Sequence, residues 1–269
     1  MAESLDLDAY LERIQWGGPV RQDLDSLSAL LRAHMTRIPF ENLDVLLGRP
    51  ILLDLEGLQA KLVCARRGGY CFEHATLFAA ALEALGFAPV RHIARVIQFV
   101  PRSAAGRTHM FLTVPLAEGR YLVDPGFGSL APRVPLPLAE GVQTQMGQER
   151  HWITRDGDDW TLHAQVGANP VAAWVSTMQQ EYPVDFEIGS HYTSTHPASP
   201  FVQRILLRAL SETGRVTVMN RDVTLWHGEQ PQQIQLADRR ALRALLAEHF
   251  GFDLPEVEQL RVPSIPGWD

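Results

Sequence analysis

Apolar residues recur with helical spacing over the first third of the chain. The segments with this spacing are residues 5–11 and 26–31, and in each the apolar residues follow an Asp or Ser suited to capping a helix. Both segments are therefore predicted to be amphipathic helices. The clearest pattern runs from residue 71 to about residue 85, where a single apolar stripe ends at a glycine. A break at residues 66–70, Arg-Arg-Gly-Gly-Tyr, separates this helix from the segment before it. The strongest predicted helix therefore begins at Cys71.

The pattern changes to short strands after Pro89. Residues 90–100 are rich in β-branched side chains, and the segments that follow are bounded by turn residues. The predicted strands are residues 109–115 and 121–124, joined by a hairpin at 117–120, and residues 152–154 and 160–162, joined by a hairpin at 156–158. A β-rich region, from about residue 90 to residue 195, thus follows the helices.

A mixed unit lies beyond Pro200. Strand patterns at residues 205–210, 215–219 and 223–226 precede a helical pattern over residues 237–249. Helices and strands are segregated along the chain and do not alternate as βαβ units. The predicted fold class is therefore α+β.

The composition indicates an ordinary globular protein and narrows its partners. The chain has 269 residues, of which 46% are hydrophobic and 20% are charged, so it has enough apolar material for a real core. Its 24 Lys and Arg residues face 31 Asp and Glu residues, a net charge of −7, which argues against a nucleic-acid partner. The longest apolar run, residues 77–82, is far too short for a membrane span, so no membrane partner is expected.

From these residues we expect neither export nor cross-linking by disulfides. Residues 1–16 are acidic and amphipathic, unlike the basic and apolar segments of a secretory leader. The two cysteines, Cys64 and Cys71, are too few for a disulfide framework. We therefore expect a reducing, cytoplasmic location.

Cys71 is the candidate nucleophile. A free cysteine is often only a small buried hydrophobic residue, but the surroundings of Cys71 favour chemistry. Two glycines before it let the backbone turn tightly, and two arginines just upstream add positive potential. The first turn of a helix offers free N–H groups and a positive dipole end, which stabilise a thiolate or an oxyanion. Cys64 lies late in a predicted helix without these features, so we expect it to be a packing residue.

His109 and Asp124 are the candidate base and orienting acid that a cysteine nucleophile needs. His109 begins a predicted strand whose hairpin partner ends at Asp124, and paired strands lie ~4.8 Å apart. The two side chains can share a hydrogen bond if they point to the same face, but a slip of one residue in the register would separate them. Asp-Pro-Gly at residues 124–126 is also an ordinary turn signal, so both interpretations stay open.

Two other patterns are weaker. Residues 126–131 match G-x-G-x-x-[GA], but prolines follow where a helix should open, so we predict no dinucleotide site of the Rossmann type. A glycine-lined loop that presents N–H groups to an anionic ligand is still an option. His191 and His196 are interpreted as lying on a loop rich in Ser, Thr and Pro, where they make a weak metal pair. We therefore expect no metal.

Taken in order, these segments resemble the arylamine N-acetyltransferase family, in its bacterial form. The matching segments are residues 39–43 (PFENL), 67–74 (RGGYCFEH), 108–110 (THM), 123–128 (VDPGFG) and 194–197 (STHP), with Phe201 behind the last. The likeness covers nearly the whole chain, and the cysteine block with its His and Asp is specific. The chain departs from the family pattern at Ala75, where the family usually has asparagine, and at Pro125, where valine or alanine is more usual. A proline has no N–H to offer a ligand.

The resemblance implies a fold of three domains with a cysteine-protease-like catalytic core. Residues 1–88 would form a helical domain that carries Cys71. Residues 89–199 would form a β-barrel-like domain that carries His109 and Asp124, and residues 200–269 an α/β lid. This arrangement agrees with the order of helices and strands predicted from the pattern alone.

The resemblance also implies a reaction. Acetyl-CoA would donate its acetyl group to a small aromatic amine or hydrazine in a ping-pong mechanism, through an acetyl-cysteine at Cys71, as in xenobiotic metabolism. The implied catalytic residues are Cys71, His109 and Asp124. The implied CoA contacts are Gly106, Gly126 and Gly128, and the implied substrate contacts are Phe40, Thr108, Phe127 and Phe201. Glu41 and Arg67 would form a structural ion pair, and the protein would be a monomer or a homodimer.

Three alternatives keep the same residues but change their role. A macrolactam-forming amide synthase of the same family would use a tethered acyl chain and no CoA. A thiol hydrolase would use the three catalytic residues, but the PFENL and STHP segments would then have no function. A non-catalytic binding module would hold the three residues without using them.

Overall fold

A computed structural model describes residues 5–147, 149–166, 169–212, 214–228 and 230–268, without the side chains of Ser129 and Val166. Its secondary structure confirms the α+β class: helices come first, an antiparallel sheet follows, and a second sheet with a helix lies at the C-terminal end. Within these described ranges no helix has the length and apolar character needed to cross a membrane.

The N-terminal third is helical, as its apolar periodicity predicts. Its helices are α1 (Leu7–Arg13), α2 (Leu24–Arg37), α3 (Leu43–Leu46), α4 (Leu55–Leu58) and α5 (Cys71–Ala84). The carboxylates of Asp6, Asp23 and Asp54 accept a backbone N–H in the first turns of α1, α2 and α4. Helix α4 continues as a π-helix over Gln59–Cys64. Cys64 is exposed at the end of this segment, so its interpretation as a packing residue is wrong.

An eight-stranded antiparallel sheet occupies the middle of the chain. Its strands are β1 (Val90–Val96), β2 (Arg107–Leu116), β3 (Gly119–Val123), β4 (Leu136–Pro137), β5 (Gln143–Met146), β6 (Glu149–Asp156), β7 (Asp159–Val166) and β8 (Pro170–Ser176). They pair in the order β4-β3-β2-β1-β8-β7-β6-β5, and both predicted hairpins are present. One apolar core contains Leu136 of β4 and Ile153 of β6. These strands lie towards opposite edges of the sheet, so the core that they share shows that the sheet curls into a barrel-like form.

A helix interrupts the predicted β-rich region. Helix α6 (Pro183–Thr195) follows β8, so His191 is helical and His196 is the C-terminal cap. The loop expected for these two histidines is therefore wrong. Its hydroxyl residues suggested a loop, but the hydroxyls of Thr193 and Thr195 donate to carbonyls one turn earlier inside the helix.

The C-terminal unit combines a four-stranded sheet with short helices. Its elements are α7 (Pro200–Gln203), β9 (Leu206–Leu210), β10 (Gly214–Met219), β11 (Asp222–His227), β12 (Gln230–Gln235) and α8 (Arg239–Leu245), and the strands pair as β12-β11-β10-β9. The N–H of Phe40 donates to the carbonyl of Arg208 and the N–H of Arg208 to that of Phe40, both at 2.8 Å. This sheet is thereby joined to the segment before α3. The domain boundaries at residues 88/89 and 199/200 stay predictions.

Helix α5 is buried between the other helices and the large sheet. Phe72 and Phe78 of α5 share one apolar core with Leu30 of α2 and with Met110 and Leu112 of β2. The helix is rich in alanine and can approach its neighbours closely. This packing brings the N-terminus of α5 to the start of β2.

Candidate active site

The three residues singled out as nucleophile, base and acid lie in one cluster. Cys71 is the first residue of α5, His109 lies near the start of β2, and Asp124 follows β3. His109 Nε2 is 2.8 Å from Asp124 Oδ2, and the Cys71 side chain is close enough to His109 to help raise the pKa of its ring. Because Nε2 is engaged by Asp124, Nδ1 is the ring nitrogen left for the sulfur.

The register that the sequence left open explains why this hydrogen bond forms. Leu112 pairs with Val123, and extending that register by one residue places Phe111 opposite Asp124. Side chains alternate between the two faces of a strand, so His109 and Phe111 share a face. His109 and Asp124 are therefore diagonal neighbours, within reach of an imidazole and a carboxylate.

The charge of Asp124 controls the protonation of His109. Burial lowers the pKa of His109, but the charge of Asp124, its hydrogen bond and the contact with Cys71 outweigh burial and raise this pKa to about 9. Trp174 Nε1 lies 3.3 Å from Asp124 Oδ2, and the N–H of Gly126 lies 3.3 Å from Oδ1. These two donors hold the carboxylate in place, and His109 is an imidazolium at neutral pH.

The loop before Cys71 is positioned by close backbone contacts. The N–H of Glu41 donates to the carbonyl of Gly69 at 2.9 Å, and that of Gly69 to Pro39 at 3.3 Å. A Cβ on Gly68 would overlap the Pro39 carbonyl, so a side chain cannot be accommodated there. The glycines of the cysteine block thus let the loop lie against the segment that carries Phe40.

A buried ion network fixes the start of α5. Arg67 Nη2 lies 2.6 Å from Glu41 Oε1, which confirms the predicted structural ion pair. Lys61 Nζ lies 2.8 Å from Asp44 Oδ2 and 2.7 Å from Glu73 Oε1. The other oxygen of Glu73 accepts the N–H of the residue before Cys71 at 3.0 Å. None of the sequence motifs contains Lys61, because the carboxylates that it contacts, on Asp44 and Glu73, lie in other segments of the chain.

Replacing Lys61 with methionine is expected to destabilise the protein by about 3–5 kcal/mol, the usual cost of leaving a buried carboxylate without its partner. Burial already raises the pKa of Glu73, and Lys61 opposes that rise. In the variant the pKa of Glu73 therefore rises further. In the folded variant Glu73 therefore takes up a proton more readily. Because the proton removes the unpaired charge at lower pH, the loss in free energy of unfolding is larger at pH 7.5 than at pH 5.5. Urea unfolding at both pH values measures this difference.

Arg240→Met is the matched control for the Lys61 variant. The Arg240 side chain is 86% exposed, and its contact with Glu258 is 3.8 Å long, so its removal should change the free energy of unfolding by less than about 0.5 kcal/mol. An equal effect in the two variants would mean that the Lys61 network does not stabilise the fold.

Four residues expected to contact substrate surround the cluster. The carbonyl of Thr108 lies 3.7 Å from Cys71 Sγ, and the Phe127 ring centroid lies 4.6 Å from that of His109. The rings of Phe40 and Phe201 are 6.1 Å apart. All four residues are half-buried. The three phenylalanines pack against the apolar core that contains Cys71, and we call them the aromatic border.

The three glycines expected to contact CoA have different surroundings. A Cβ on Gly126 would lie 2.7 Å from the Cα of Cys71, so this glycine is needed for close packing whether or not a cofactor binds. Gly128 has a φ of +63°, which favours glycine. Gly106 comes just before β2, and a Cβ there would be 3.1 Å from the Thr108 side chain.

Access to the sulfur is narrow. Cys71 is 4% exposed. A cavity of about 1400 Å³ has Thr76 of α5 and Ser190 of α6 in its wall, but not Cys71. This cavity is therefore separate from the cluster of Cys71, His109 and Asp124.

Comparison with known proteins connects this geometry to a family. A family model described as N-acetyltransferase matches residues 23–259. The arylamine N-acetyltransferase of Mycolicibacterium smegmatis is 38% identical over 259 residues, covering 94% of both chains. That of Escherichia coli is 33% identical over 254 residues, covering 94% of this chain and 90% of its own. The chain belongs to the arylamine N-acetyltransferase family. The sequence resemblance is confirmed, and the protein is an acyltransferase.

Solved structures agree with this assignment. The Mycobacterium marinum arylamine N-acetyltransferase superimposes with a TM-score of 0.89 at 36% identity, covering 94% of each chain. A second structure of the M. marinum enzyme, in complex with CoA, gives a TM-score of 0.88 with the same identity and coverage. The likeness to the arylamine N-acetyltransferase fold thus extends over nearly all of this chain.

Sequence reasoning missed the indole that supports the acid of this acyltransferase. Trp174 lies in β8, between Val96 of β1 and Leu162 of β7, and it is fully buried. A buried indole N–H usually finds an acceptor, and here the acceptor is Asp124. A tryptophan in a strand pattern indicates burial but does not reveal which distant carboxylate it contacts.

A buried relay beside Cys71 was also missed. Tyr10 Oη lies 2.9 Å from His34 Nδ1, His34 Nε2 lies 2.9 Å from His74 Nδ1, and His74 Nε2 lies 3.1 Å from the carbonyl oxygen of Pro39. Burial lowers the pKa of His74 to about 4, so this ring is neutral. The relay ends on the carbonyl beside Phe40 and supports the same segment as the glycine loop.

Proposed function

We propose that this chain transfers the acetyl group of acetyl-CoA to arylamines and arylhydrazines through an acetyl-Cys71 intermediate. The observation that carries the proposal is the cluster of Cys71, His109 and Asp124, with an imidazolium next to the sulfur. The name shared by its relatives, and the M. marinum structure in complex with CoA, support the substrate class. The proposal includes the three domains expected from the resemblance, the cysteine-protease-like core and a cytoplasmic location.

In the first half-reaction Cys71 is the nucleophile. Its thiolate, paired with the His109 imidazolium, attacks the carbonyl carbon of the acetyl thioester. Free N–H groups in the first turn of α5 stabilise the oxyanion that forms. The bond between the carbonyl carbon and the CoA sulfur then breaks. CoA leaves with the proton of His109, and the enzyme carries an acetyl group on Cys71.

In the second half-reaction His109 acts as a base. The amine nitrogen attacks the acetyl carbon, its proton passes to His109, and the bond to Cys71 Sγ breaks. This step restores the thiolate and the imidazolium and releases the N-acetyl product. Asp124 keeps the imidazole oriented throughout and stabilises its charged form.

The aromatic border favours an arylamine over water as the acceptor. Phe40, Phe127 and Phe201 would contact the ring of the amine, and Thr108 would line the approach to the sulfur. An apolar pocket that excludes solvent protects the acetyl-cysteine from hydrolysis. Gly106, Gly126 and Gly128 would let CoA pass close to the backbone. Pro125, which has no N–H, takes no part in binding the oxyanion.

Incubation with acetyl-CoA in the absence of amine tests the proposal. Mass spectrometry of the intact protein and of its peptides should show one acetyl group, on Cys71, and addition of an arylamine should remove it. The test uses the Cys64→Ser background, because Cys64 is an exposed thiol that reagents reach directly. Absence of the Cys71 adduct would reject acetyl transfer and favour an amide synthase or a hydrolase.

A further inference from the structure

Helix α6 is fixed to the body of the protein along one face. A Cβ on Gly189 would lie 2.8 Å from both the carbonyl oxygen of Arg107 and the Phe72 ring, so the helix lies directly against β2 and α5. Ser190 Oγ is 2.6 Å from Tyr70 Oη. Since this face is held by buried contacts, the opposite face of α6 is directed to solvent.

The outward face of α6 carries an apolar stripe. Val184, Ile188 and Tyr192 follow one another at intervals of four residues, so they lie on one side of the helix. Their exposed fractions are 54%, 64% and 44%. All three line a shallow groove of about 610 Å³, and the Tyr192 ring stacks on that of His196 at 4.3 Å. We call Val184, Ile188 and Tyr192 the α6 stripe. A contiguous apolar surface of this kind is typical of an interaction site.

Polar residues flank the α6 stripe in a self-complementary pattern. At about 100° per residue, Asp185 lies on the same flank as Tyr192, and Glu187 lies on the same flank as His191. Both flanks therefore carry a carboxylate in the N-terminal half of the helix and a hydrogen-bond donor in the C-terminal half. Glu187, His191 and Tyr192 are exposed, so these groups can meet another molecule.

An antiparallel pair of α6 helices would bring these groups together. With a two-fold axis at Ile188, Glu187 of one copy lies about 3 Å along the helix axis from His191 of the other, on the same flank. On the other flank Asp185 lies about 1.5 Å along the axis from Tyr192 of the second copy. An imidazole and a phenol can both donate to a carboxylate. A parallel pair would instead place Asp185 beside Glu187, where the two carboxylates repel.

We propose that the α6 stripe is the contact surface between two copies of this chain, arranged antiparallel about a two-fold axis at Ile188. A two-fold interface uses the same patch on both copies, so that patch must complement itself, as this one does. The two Ile188 side chains meet at the centre, and Val184 of each copy packs on Tyr192 of the other. Burial of these apolar groups supplies the attraction, and the flanking polar groups set the orientation.

The size of the surface determines the kind of dimer. Helix α6 has 13 residues and is about 20 Å long, so it presents less area than a permanent dimer buries. The dimer should therefore form and dissociate with concentration. This inference does not depend on the proposed acetyl transfer.

Light scattering over a range of protein concentrations is the first test. The mass of the wild-type protein should rise from that of one chain towards that of two. Ile188→Glu should stay monomeric, because two carboxylates at the centre of the contact would have to lose their water. Ile234→Glu is the matched control: Ile234 is 40% exposed but lies on β12, so this variant should associate as the wild-type protein does. Both variants should melt as the wild-type protein does, since both positions are exposed.

Oxidative cross-linking tests the position of the two-fold axis. Packed helix axes are about 8–10 Å apart, and each Cα lies about 2.3 Å from its axis. The two Ile188 Cα atoms would then be about 4–5 Å apart, close to the range of disulfides. In the Cys64→Ser background, Ile188→Cys should form a disulfide-linked dimer with oxidised glutathione, which takes up the two electrons. Ile234→Cys in the same background should not.

Exchange of the flanking groups tests the orientation. Glu187→Lys should raise the dissociation constant about fivefold or more, because a lysine would then lie beside His191 of the second copy. His191→Glu should raise it similarly, because two carboxylates would meet. The double variant Glu187→Lys/His191→Glu restores opposite charges across the contact and should recover the wild-type dissociation constant.

These outcomes decide the proposal without any assay of acetyl transfer. A dimer that Ile188→Glu abolishes and that the double charge variant retains supports the α6 contact, even if Cys71 is never acetylated. A wild-type protein that stays monomeric at every concentration overturns the proposal and leaves the α6 stripe to a partner of another kind. A dimer that Ile188→Glu leaves intact, or equal cross-linking of the two cysteine variants, would also overturn it, since the contact would then lie elsewhere.

Discussion

Replacing Cys71 with serine is expected to lower acetyl transfer by roughly 10³-fold or more, the scale on which removing a nucleophile acts. A serine hydroxyl is ionised far less readily than a thiol, and the His109 imidazolium that stabilises a thiolate cannot act as the base for a hydroxyl. The fold should persist, because the smaller hydroxyl can donate to the Thr108 carbonyl that the thiol contacts now. Turnover of an arylamine with acetyl-CoA measures the loss, and a melting curve measures the fold.

Cys64→Ser is the matched control for the Cys71 variant. Cys64 is exposed at the end of a helix, whereas Cys71 is buried against His109. The control should keep both activity and acetylation, and the double variant should show neither. Undiminished turnover in Cys71→Ser would remove Cys71 from the mechanism and leave the site without a nucleophile.

The nucleophile was predictable because its signals are local. The apolar stripe of α5, the glycines before it and the position of Cys71 in the first turn all lie within one short stretch of sequence. The structure places Cys71 at the first position of that helix. Periodicity and turn chemistry act between residues close along the chain, so a single sequence is enough to predict them.

The contact between His109 and Asp124 was only partly predictable. A hairpin brings the ends of two strands together, but the face of each side chain depends on the register. That register is fixed by the packing of the inner face, where Phe111 and Trp174 stack at 4.3 Å. The packing involves Trp174 of β8, which lies 50 residues beyond Asp124, and no local pattern records it.

The features that sequence reasoning missed share this dependence on distant contacts. Lys61 meets Glu73 across a loop, and Arg208 meets Gly128 across 80 residues. Helix α6 was missed for a different reason, because its serines and threonines favour loops in general but bond within the helix here. Residue type indicated the chemistry available at each position, and only the fold determined which groups meet.

Replacing Asp124 with asparagine is expected to lower kcat by about 10⁴-fold, as when the carboxylate of a catalytic triad is made neutral. The carboxylate charge is the main influence that raises the pKa of His109 to about 9, against a burial effect that lowers it. Without that charge burial dominates, and the pKa of His109 falls below its ordinary value of 6.5. The ring is then neutral at pH 7 and cannot stabilise a thiolate. An NMR titration of the His109 ring measures the shift.

The same change alters how stability depends on pH. In the wild-type protein the folded-state pKa of His109 is above its unfolded value, so its stabilising contribution is complete below about pH 6.5 and is lost as the pH rises through 9. The free energy of unfolding of the wild-type protein should therefore be lower at pH 9.5 than at pH 6 because the His109 contribution is lost. Asp124→Asn should not show this loss. Trp174→Phe is the control, because it removes a donor to Asp124 but keeps the charge, and His109 should stay protonated at pH 7. A wild-type ring that is neutral at pH 7, or a variant ring that is still charged there, would contradict the ion-pair mechanism.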